Sequence, residues 1–385
     1  MSQTSQLNQL ANSESNSRTR NHLDAQPLVS GPLAETHALL EGQTFEEYLC
    51  FRLAILQTDS LSLVGNPLGD PQRRRHGVLV PKKEPPHGGW PVVFVLAGFT
   101  GNGPNYFNLK SFEVNFPHQL DRLVAVHSAP RAVYVFVEAM TYWGGSQFLN
   151  SSATGRYEDF VLDDLVPAVR ARLPVSREPS KWCVMGGSSG GYGALHLSSI
   201  APRIFGLAAA IAPDSFFEAS LLPEFWTAAP TLIKLGGLNG LRDELESGRL
   251  QRRKDWHSLI NAVAMALCYA GETPEGDADR SLTTLFPIDL NSGKVDFARF
   301  GKIKEYDPIV FLGARALAVQ ELNGIFIDVG TRDQFHLQYG ARQIRDVLLE
   351  QSAPLSYSEF EGNHFDISER RPLVWRWLLT QPGWS

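Results

Sequence analysis

CVMGGSSGGYGAL, residues 183–195, places two adjacent serines among glycines, between an apolar run and a helical pattern. The apolar residues before the glycines predict a short buried strand, and the segment that begins with Tyr192 predicts a helix. A strand, a sharp turn and a helix in that order form the setting of a nucleophile elbow, in which an exposed serine lies at the helix N-terminus. The stretch therefore predicts a reactive serine rather than a flexible linker.

The pattern G-x-S-x-G fits this turn in two registers. It selects Ser188 in one register and Ser189 in the next, and all four flanking positions are glycine. The residues two places before and after the serine must be small because the turn is so sharp. Both registers meet this requirement, so the residues alone leave either serine open as the nucleophile.

Alternating strands and helices surround this turn. Apolar runs predict the strands, and apolar residues with helical spacing predict the helices. Such alternation predicts an α/β fold with a mostly parallel central sheet and helices on both faces, and its active site lies at the carboxyl ends of the strands. The predicted strands lie within residues 48–56, 76–81, 92–96, 131–139, 181–185, 204–214, 324–330 and 355–362, and the predicted helices within 156–173, 192–201 and 371–380.

Two segments depart from the alternation. Residues 1–40 are rich in Ser, Asn and Gln and poor in large apolar side chains, which predicts a disordered tail. Residues 41–385 are then expected to form one α/β domain. Within it, residues from about 215 to 313 interrupt the alternation, and we expect them to form a lid-like insertion at the carboxyl edge of the sheet.

Composition disfavours several function classes. The formal net charge is −6, and the basic runs Arg73–Arg75 and Arg252–Lys254 are short, so we interpret them as solvated loop or helix faces and expect no nucleic-acid partner. No run approaches the roughly 20 apolar residues of a membrane span, and we expect no membrane association. The three scattered cysteines and the absence of an apolar leader predict a cytoplasmic protein.

No cofactor or metal motif competes with the serine. The chain has no H-E-x-x-H and no G-x-G-x-x-G after its first strand, and GFTGNG at residues 98–103 lacks the Lys-Ser/Thr of a phosphate-binding loop. We therefore expect neither a cofactor nor a metal ion.

The segment GGSSGGYGA, residues 186–194, resembles the G-x-S-x-G-G-x-G-A elbow of the α/β-hydrolase branch that contains esterase D (S-formylglutathione hydrolase) and enterochelin esterase-like enzymes. The resemblance implies an α/β-hydrolase fold with Ser188 as the nucleophile and the backbone N–H of Ser189 in the oxyanion hole. FVLAGFTGN resembles the oxyanion loop of the family and implies that Phe99 supplies the second N–H, although Ala97 stands where many relatives have His or Ser. Further similar segments, NSSATGRYEDFVLDDLVPAV, EYDPI, IDVGTRDQF and GNHFDISERRPLVWRWL, extend the resemblance over residues 48–380.

A serine of this kind needs a histidine base that is oriented by a carboxylate. In this fold the acid and then the histidine follow the serine along the chain. Of the four histidines after the serine, His196 lies in the helix that follows the turn and His257 lies in the insertion, which leaves His336 and His364. His364 lies in a glycine-bearing loop after the last strand and is the expected base, whereas His336 is expected to enter a helix. The acid candidates are Asp333, Asp328 and Asp214, and the resemblance assigns the acid to Asp333.

These residues predict a serine hydrolase that cleaves a small-molecule ester or thioester through an acyl-enzyme. An acyltransferase would share the acyl-enzyme and differ only in the acceptor; the secreted mycolyltransferases share this architecture. A third possibility is a non-catalytic binding protein on the same fold. It is disfavoured by a complete set of Ser, Asp and His in the expected order.

Overall fold

One eight-stranded sheet forms the centre of the computed structural model, which describes residues 48–109, 114–269 and 282–385. The strand order is β1-β2-β4-β3-β5-β6-β7-β8. The pairs β1–β2 and β2–β4 are antiparallel, and the other pairs are parallel. The strands are β1 (Phe51–Asp59), β2 (Arg73–Pro81), β3 (Val92–Leu96), β4 (Val133–Phe136), β5 (Trp182–Gly187), β6 (Leu207–Ile211), β7 (Gly324–Gly330) and β8 (Leu355–Phe360).

The predicted strands are confirmed, with ends that shift by up to a few residues. The central strands β3 to β7 are buried along nearly their whole length, as expected of parallel strands that are covered on both sides. Residues 1–40, for which a disordered tail is predicted, lie outside the described residues. Two short two-stranded ladders pair Met140–Thr141 with Gly144–Gly145 and Asn150–Ser151 with Gly155–Arg156.

Helices cover both faces of the sheet. No helix in the described part of the chain is long and apolar enough to cross a membrane. The α-helices are α1 (Phe116–Ala125), α2 (Tyr157–Asp159), α3 (Val166–Arg172), α4 (Ser189–Ile200), α5 (Phe217–Ser220), α6 (Leu222–Leu235), α7 (Leu238–Glu246), α8 (Trp256–Cys268), α9 (Leu282–Leu285), α10 (Phe297–Lys304), α11 (Pro308–Ala314), α12 (Ala316–Gln320), α13 (Leu337–Glu350) and α14 (Arg371–Leu379). Pro104–Phe107, Pro179–Lys181, Leu250–Arg252 and His364–Arg370 are 3₁₀ turns, and Phe160–Leu165, between α2 and α3, is π-helical.

Alternate residues of β3 point to opposite faces, as the pleat of a strand requires. Val93 and Val95 pack in one cluster with residues of α1 and α14. Val92 and Phe94 pack in another cluster with residues of α3 and α4. Helices from both sides of the elbow in the sequence therefore contribute to the core on each face of the sheet: α1 and α14 on one face, and α3 and α4 on the other.

The segment between β6 and β7 contains helices α5 to α12. Buried residues of this segment, such as Phe225 and Val263, share a hydrophobic cluster with Ile325 and Ile327 of β7. The residues of the predicted insertion thus pack against the strand that follows them. Their lid function stays a prediction.

The expectation of solvated faces at both basic runs is wrong at Arg74. This residue lies in β2 and is 4% exposed. Its guanidinium donates to the Tyr157 hydroxyl at 2.7 Å and to the Met140 carbonyl at 2.8 Å. Successive side chains of a strand point to opposite faces. Arg74 points to the buried face, where its guanidinium donates to buried acceptors.

The elbow packs directly against the neighbouring strand. β5 ends at Gly187, α4 begins at Ser189, and Ser188 between them has φ 56° and ψ −128°. A Cβ atom on Gly190 would lie 2.4 Å from the Leu96 carbonyl oxygen at the end of β3. Only a residue without a side chain allows α4 to approach β3 this closely.

We predict that Gly190→Ala lowers the free energy of unfolding by about 1–3 kcal/mol, because the new methyl group overpacks a rigid backbone contact. The matched control is Gly301→Ala in α10, where an added Cβ meets nothing within 4 Å and should be neutral or stabilising by up to about 1 kcal/mol. Urea unfolding followed by tryptophan fluorescence compares the two. Equal unfolding midpoints for both variants would contradict this packing argument.

Candidate active site

Ser188 lies at the carboxyl end of β5 in a backbone conformation that non-glycine residues rarely adopt. Its backbone N–H donates to the Ile211 carbonyl of β6 at 3.0 Å, which ties the turn to the sheet. The side chain projects into a cavity, and Oγ lies 3.0 Å from His364 Nε2. This is hydrogen-bonding distance between a nucleophile and a base.

Asp333 lies on the far side of the His364 ring. Its Oδ2 accepts from Nδ1 of His364 at 2.7 Å, and its Oδ1 accepts from the backbone N–H of Phe335 at 2.9 Å. The aspartate is 2% exposed and follows β7, whereas the histidine follows β8. The three side chains that the sequence proposed as nucleophile, acid and base are thus adjacent, although the serine and the histidine are 176 positions apart.

Local contacts fix the His364 ring. Asn363 caps the 3₁₀ turn that begins at His364 and forms a reciprocal capping box with Asp366. The backbone N–H of His364 donates to the Gln334 side-chain oxygen at 3.1 Å. The Phe335 ring packs edge-on against the imidazole, with 4.8 Å between the ring centres. These contacts hold the imidazole between Ser188 and Asp333.

Ser189 has different surroundings from Ser188. It is 1% exposed, and its hydroxyl donates to Oδ2 of Asp214 at 2.6 Å. Oδ1 of the same carboxylate lies 3.2 Å from Ser188 Oγ, and Gln147 Nε2 donates to Oδ2 at 3.1 Å. Asp214, a second candidate for the acid, is therefore at the site, but its hydrogen bonds go to the two serines and Gln147 rather than to His364.

Asp328 and His336, the remaining candidates for acid and base, lie apart from Ser188. Asp328 is fully buried within β7, where it accepts from Arg370 Nε and from the Ser358 hydroxyl, both at 2.7 Å. His336 has a left-handed backbone (φ 64°) and precedes α13. Neither of these two side chains is hydrogen-bonded to His364 or to Ser188 within the described part of the chain.

The backbone N–H groups of Phe99 and Ser189, both near Ser188, have no acceptor among the described residues. Both residues line the same cavity as Ser188. The loop that carries Phe99 approaches the elbow closely, since a Cβ on Gly98 would lie 3.6 Å from Ser188 Cβ. Unpaired N–H groups at this place are suited to bind a negatively charged oxygen.

The cavity around Ser188 has a volume of about 630 Å³. Most of its lining is apolar or aromatic, which is typical of a small-molecule site. Among residues 48–109, 114–269 and 282–385, no group of three or more His, Cys, Asp or Glu side chains could hold a metal ion. The lining includes Phe99, Tyr106, Phe116, Phe217, Leu221, Trp256, His257, Met265, Tyr269, Phe335, Ile367 and Arg371.

His257 is a site residue that the sequence did not identify. It belongs to α8, within the predicted insertion, and no local motif marks it. Its ring packs near Phe99 and Phe335, with 5.9 Å between ring centres in each case. Burial lowers the pKa of His257 below its usual value, although the nearby Glu224 carboxylate opposes this shift. The lowered pKa favours the uncharged imidazole.

The sequence and the fold match known proteins. A family model described as "Putative esterase" matches residues 70–366. The S-formylglutathione hydrolase of Agrobacterium tumefaciens is 15% identical with a TM-score of 0.50, and the alignment covers 88% of this chain and 98% of that chain. The fluorophosphonate-binding serine hydrolase FphF of Staphylococcus aureus is 13% identical with a TM-score of 0.50, covering 85% of this chain and 98% of that chain. A search of curated proteins found no match. The structural likeness shows the predicted α/β-hydrolase fold.

The ion pair of Asp328 with Arg370 anchors the end of the 3₁₀ turn that begins at His364, and it yields a stability prediction. Arg370→Gln should lower the free energy of unfolding on the order of 3 kcal/mol, because it leaves the fully buried Asp328 carboxylate without its cation. The matched control, Arg376→Gln on the exposed side of α14, should change it by less than about 0.5 kcal/mol. Denaturant unfolding measures both. The double variant Asp328→Asn with Arg370→Gln should recover part of the loss, and strict additivity of the two changes would refute the coupling.

Proposed function

The chain belongs to the esterase family whose model it matches and is therefore an esterase-type hydrolase; we propose that Ser188, His364 and Asp333 form its catalytic triad. The observation that carries this proposal is the hydrogen-bonded series from Ser188 Oγ to His364 Nε2 (3.0 Å) and from His364 Nδ1 to Asp333 Oδ2 (2.7 Å). The substrate class is a small-molecule carboxylic ester or thioester.

In the proposed reaction, Ser188 Oγ attacks the ester carbonyl while His364 Nε2 takes the hydroxyl proton. Asp333 keeps the other imidazole proton on Nδ1 and stabilises the charged ring. The N–H groups of Phe99 and Ser189 bind the oxygen that becomes negative. The imidazolium then protonates the departing alcohol or thiol, and an acyl-enzyme remains on Ser188. His364 then takes a proton from water, which attacks the acyl carbonyl. The carboxylic acid is released, and His364 returns the proton to Ser188 Oγ.

Two facts favour His364 over Asp214 as the base. His364 Nε2 has Ser188 Oγ as its hydrogen-bond partner among the described residues, so its lone pair faces the nucleophile. Asp214 Oδ1 is farther from Ser188 Oγ, at 3.2 Å, and Oδ2 of the same carboxylate already accepts from Ser189 and Gln147. Under this proposal Asp214 holds the Ser189 side chain, and with it the start of the helix that supplies one oxyanion N–H.

We also propose a cytoplasmic location. Cys50, Cys183 and Cys268 are unpaired thiols, and unpaired thiols are typical of proteins in a reducing compartment. Fractionation of the native host cells tests this location.

The two elbow serines give a direct test. Ser188→Ala should reduce kcat by about 10⁴-fold or more and abolish labelling by a fluorophosphonate probe. Ser189→Ala should be much milder, because it removes a hydroxyl but keeps the backbone N–H. Esterase assays and mass spectrometry of the labelled peptide, with fragment ions that separate the two serines, measure both effects. A label on Ser189 together with an active Ser188→Ala enzyme would show that the other register is correct.

The two nearby aspartates give a second test. Asp333→Asn should reduce kcat on the order of 10⁴-fold, because the amide disturbs the imidazole tautomer. Asp214→Asn makes the same chemical change, from a carboxylate to an amide of nearly the same shape. It should lower kcat much less, because Asp214 does not contact His364. Steady-state kinetics on one p-nitrophenyl ester compares them. Near-normal turnover in Asp333→Asn with a large loss in Asp214→Asn would move the acid to the loop after β6.

A further inference from the structure

The cavity at Ser188 also reaches Arg371, the first residue of α14. The guanidinium carbon lies 5.4 Å from the ring centre of Tyr106 and 5.1 Å from that of Phe116. Both rings line the cavity as well. The positive charge of Arg371 therefore lies against the aromatic wall of the cavity that contains the proposed nucleophile.

Arg371 has no acidic partner in the described part of the chain. No carboxylate there forms an ion pair with it, and no side chain or carbonyl there accepts a hydrogen bond from its guanidinium. The preceding residue shows the contrast, since Arg370 is paired with Asp328. Arg371 is partly buried, and this burial lowers its pKa, which reflects the cost of removing part of the hydration of a cation.

An unpaired, partly desolvated guanidinium is costly, and contact with aromatic faces offsets only part of that cost. A carboxylate would remove the remainder, because the planar fork of an arginine matches two carboxylate oxygens. Arg371 is also the one Lys or Arg among the described residues that line the cavity. A single cation suits a monoanion better than a phosphate, which usually has several cationic or N–H partners.

We propose that Arg371 binds a carboxylate of the substrate, so that the ester or thioester cleaved at Ser188 is an acidic one with an apolar body. This inference rests on the proposed function. It specifies the substrate class: the apolar part lies along rings such as Tyr106 and Phe116, and the carboxylate forms an ion pair with Arg371. The carboxylate belongs either to the acyl group or to the alcohol, and the chemistry of recognition is the same in both cases.

Matched ester pairs test the proposal. On the acyl side, the p-nitrophenyl hemiesters of succinate, glutarate and adipate are compared with p-nitrophenyl butanoate, pentanoate and hexanoate. On the alcohol side, acetates of the corresponding hydroxyalkanoic acids are compared with acetates of the plain alkanols. The readout is the ratio of kcat/KM for the acidic ester to that for its neutral partner. The pair that responds to substitution at Arg371 identifies the side that carries the carboxylate.

In Arg371→Gln this ratio should fall by about 10- to 100-fold for at least one pair, the range expected when a charge-assisted hydrogen bond is lost. Arg371→Lys should give an intermediate ratio, because it keeps the charge and loses the fork. Arg376→Gln, on the same helix but exposed, removes the same charge and should leave every ratio as in the wild type. If Arg371→Gln shows the wild-type ratio for every pair, the proposal is wrong. If Arg371→Gln does not fold, a wild-type ratio for every pair in Arg371→Lys has the same meaning.

Fluorophosphonate labelling separates this inference from the proposed function. A protein that labels at Ser188 and cleaves neutral esters, with ratios that do not depend on Arg371, remains a serine hydrolase and refutes only the carboxylate site. A protein that does not label refutes the proposed function itself. The rate of labelling also gives a readout that needs no turnover. Pentanoate should slow fluorophosphonate labelling of the wild type more than its neutral isostere pentanamide does. Equal protection by the two compounds would count against the carboxylate site.

Discussion

The conformation of Ser188 is the constraint on which the site depends. With φ 56° and ψ −128°, this residue is in a region that costs about 1–3 kcal/mol for a residue with a side chain. The surrounding packing maintains it: a Cβ atom on Gly186 would lie 2.4 Å from the backbone of Gly190, so the chain can close the turn only with glycine at these places. In this conformation Oγ lies 3.0 Å from His364 Nε2, and α4 begins at the next residue.

The other site groups reach this turn from the carboxyl ends of neighbouring strands. Asp214 follows β6, Asp333 follows β7 and His364 follows β8, and these strands lie in that order beside β5. Parallel pairing brings their carboxyl ends to one edge, where loops can vary without disturbing the buried strands. The same topology therefore brings both aspartates to the edge that carries the serines, where Asp214 contacts the serines and Asp333 contacts the imidazole.

The sequence by itself determined the strands, the elbow and the fold, because those features arise from local patterns. A buried strand such as Gly324–Gly330 is a continuous apolar run, and the sharp turn at residues 186–190 needs small residues at set spacings. Two adjacent serines satisfied that spacing, so the residues alone did not separate them, and only the family resemblance favoured Ser188. The folded chain distinguishes them physically: one has a positive φ and faces His364, and the other is buried and donates to Asp214.

The tertiary structure alone decided those contacts between distant side chains that no family motif marks. Nothing near His257 in the sequence indicates that it lines the cavity, and nothing near Arg74 indicates that it is buried. Nothing near Arg371 indicates that, among the residues that the structure describes, it lacks an acidic partner while Arg370 has one. Each of these facts depends on partners that are tens to hundreds of residues away and are brought together by strand order and helix packing. A local pattern determines the conformation of its own segment. The charge and shape of a cavity depend on side chains from several segments, and these come together only in the folded chain.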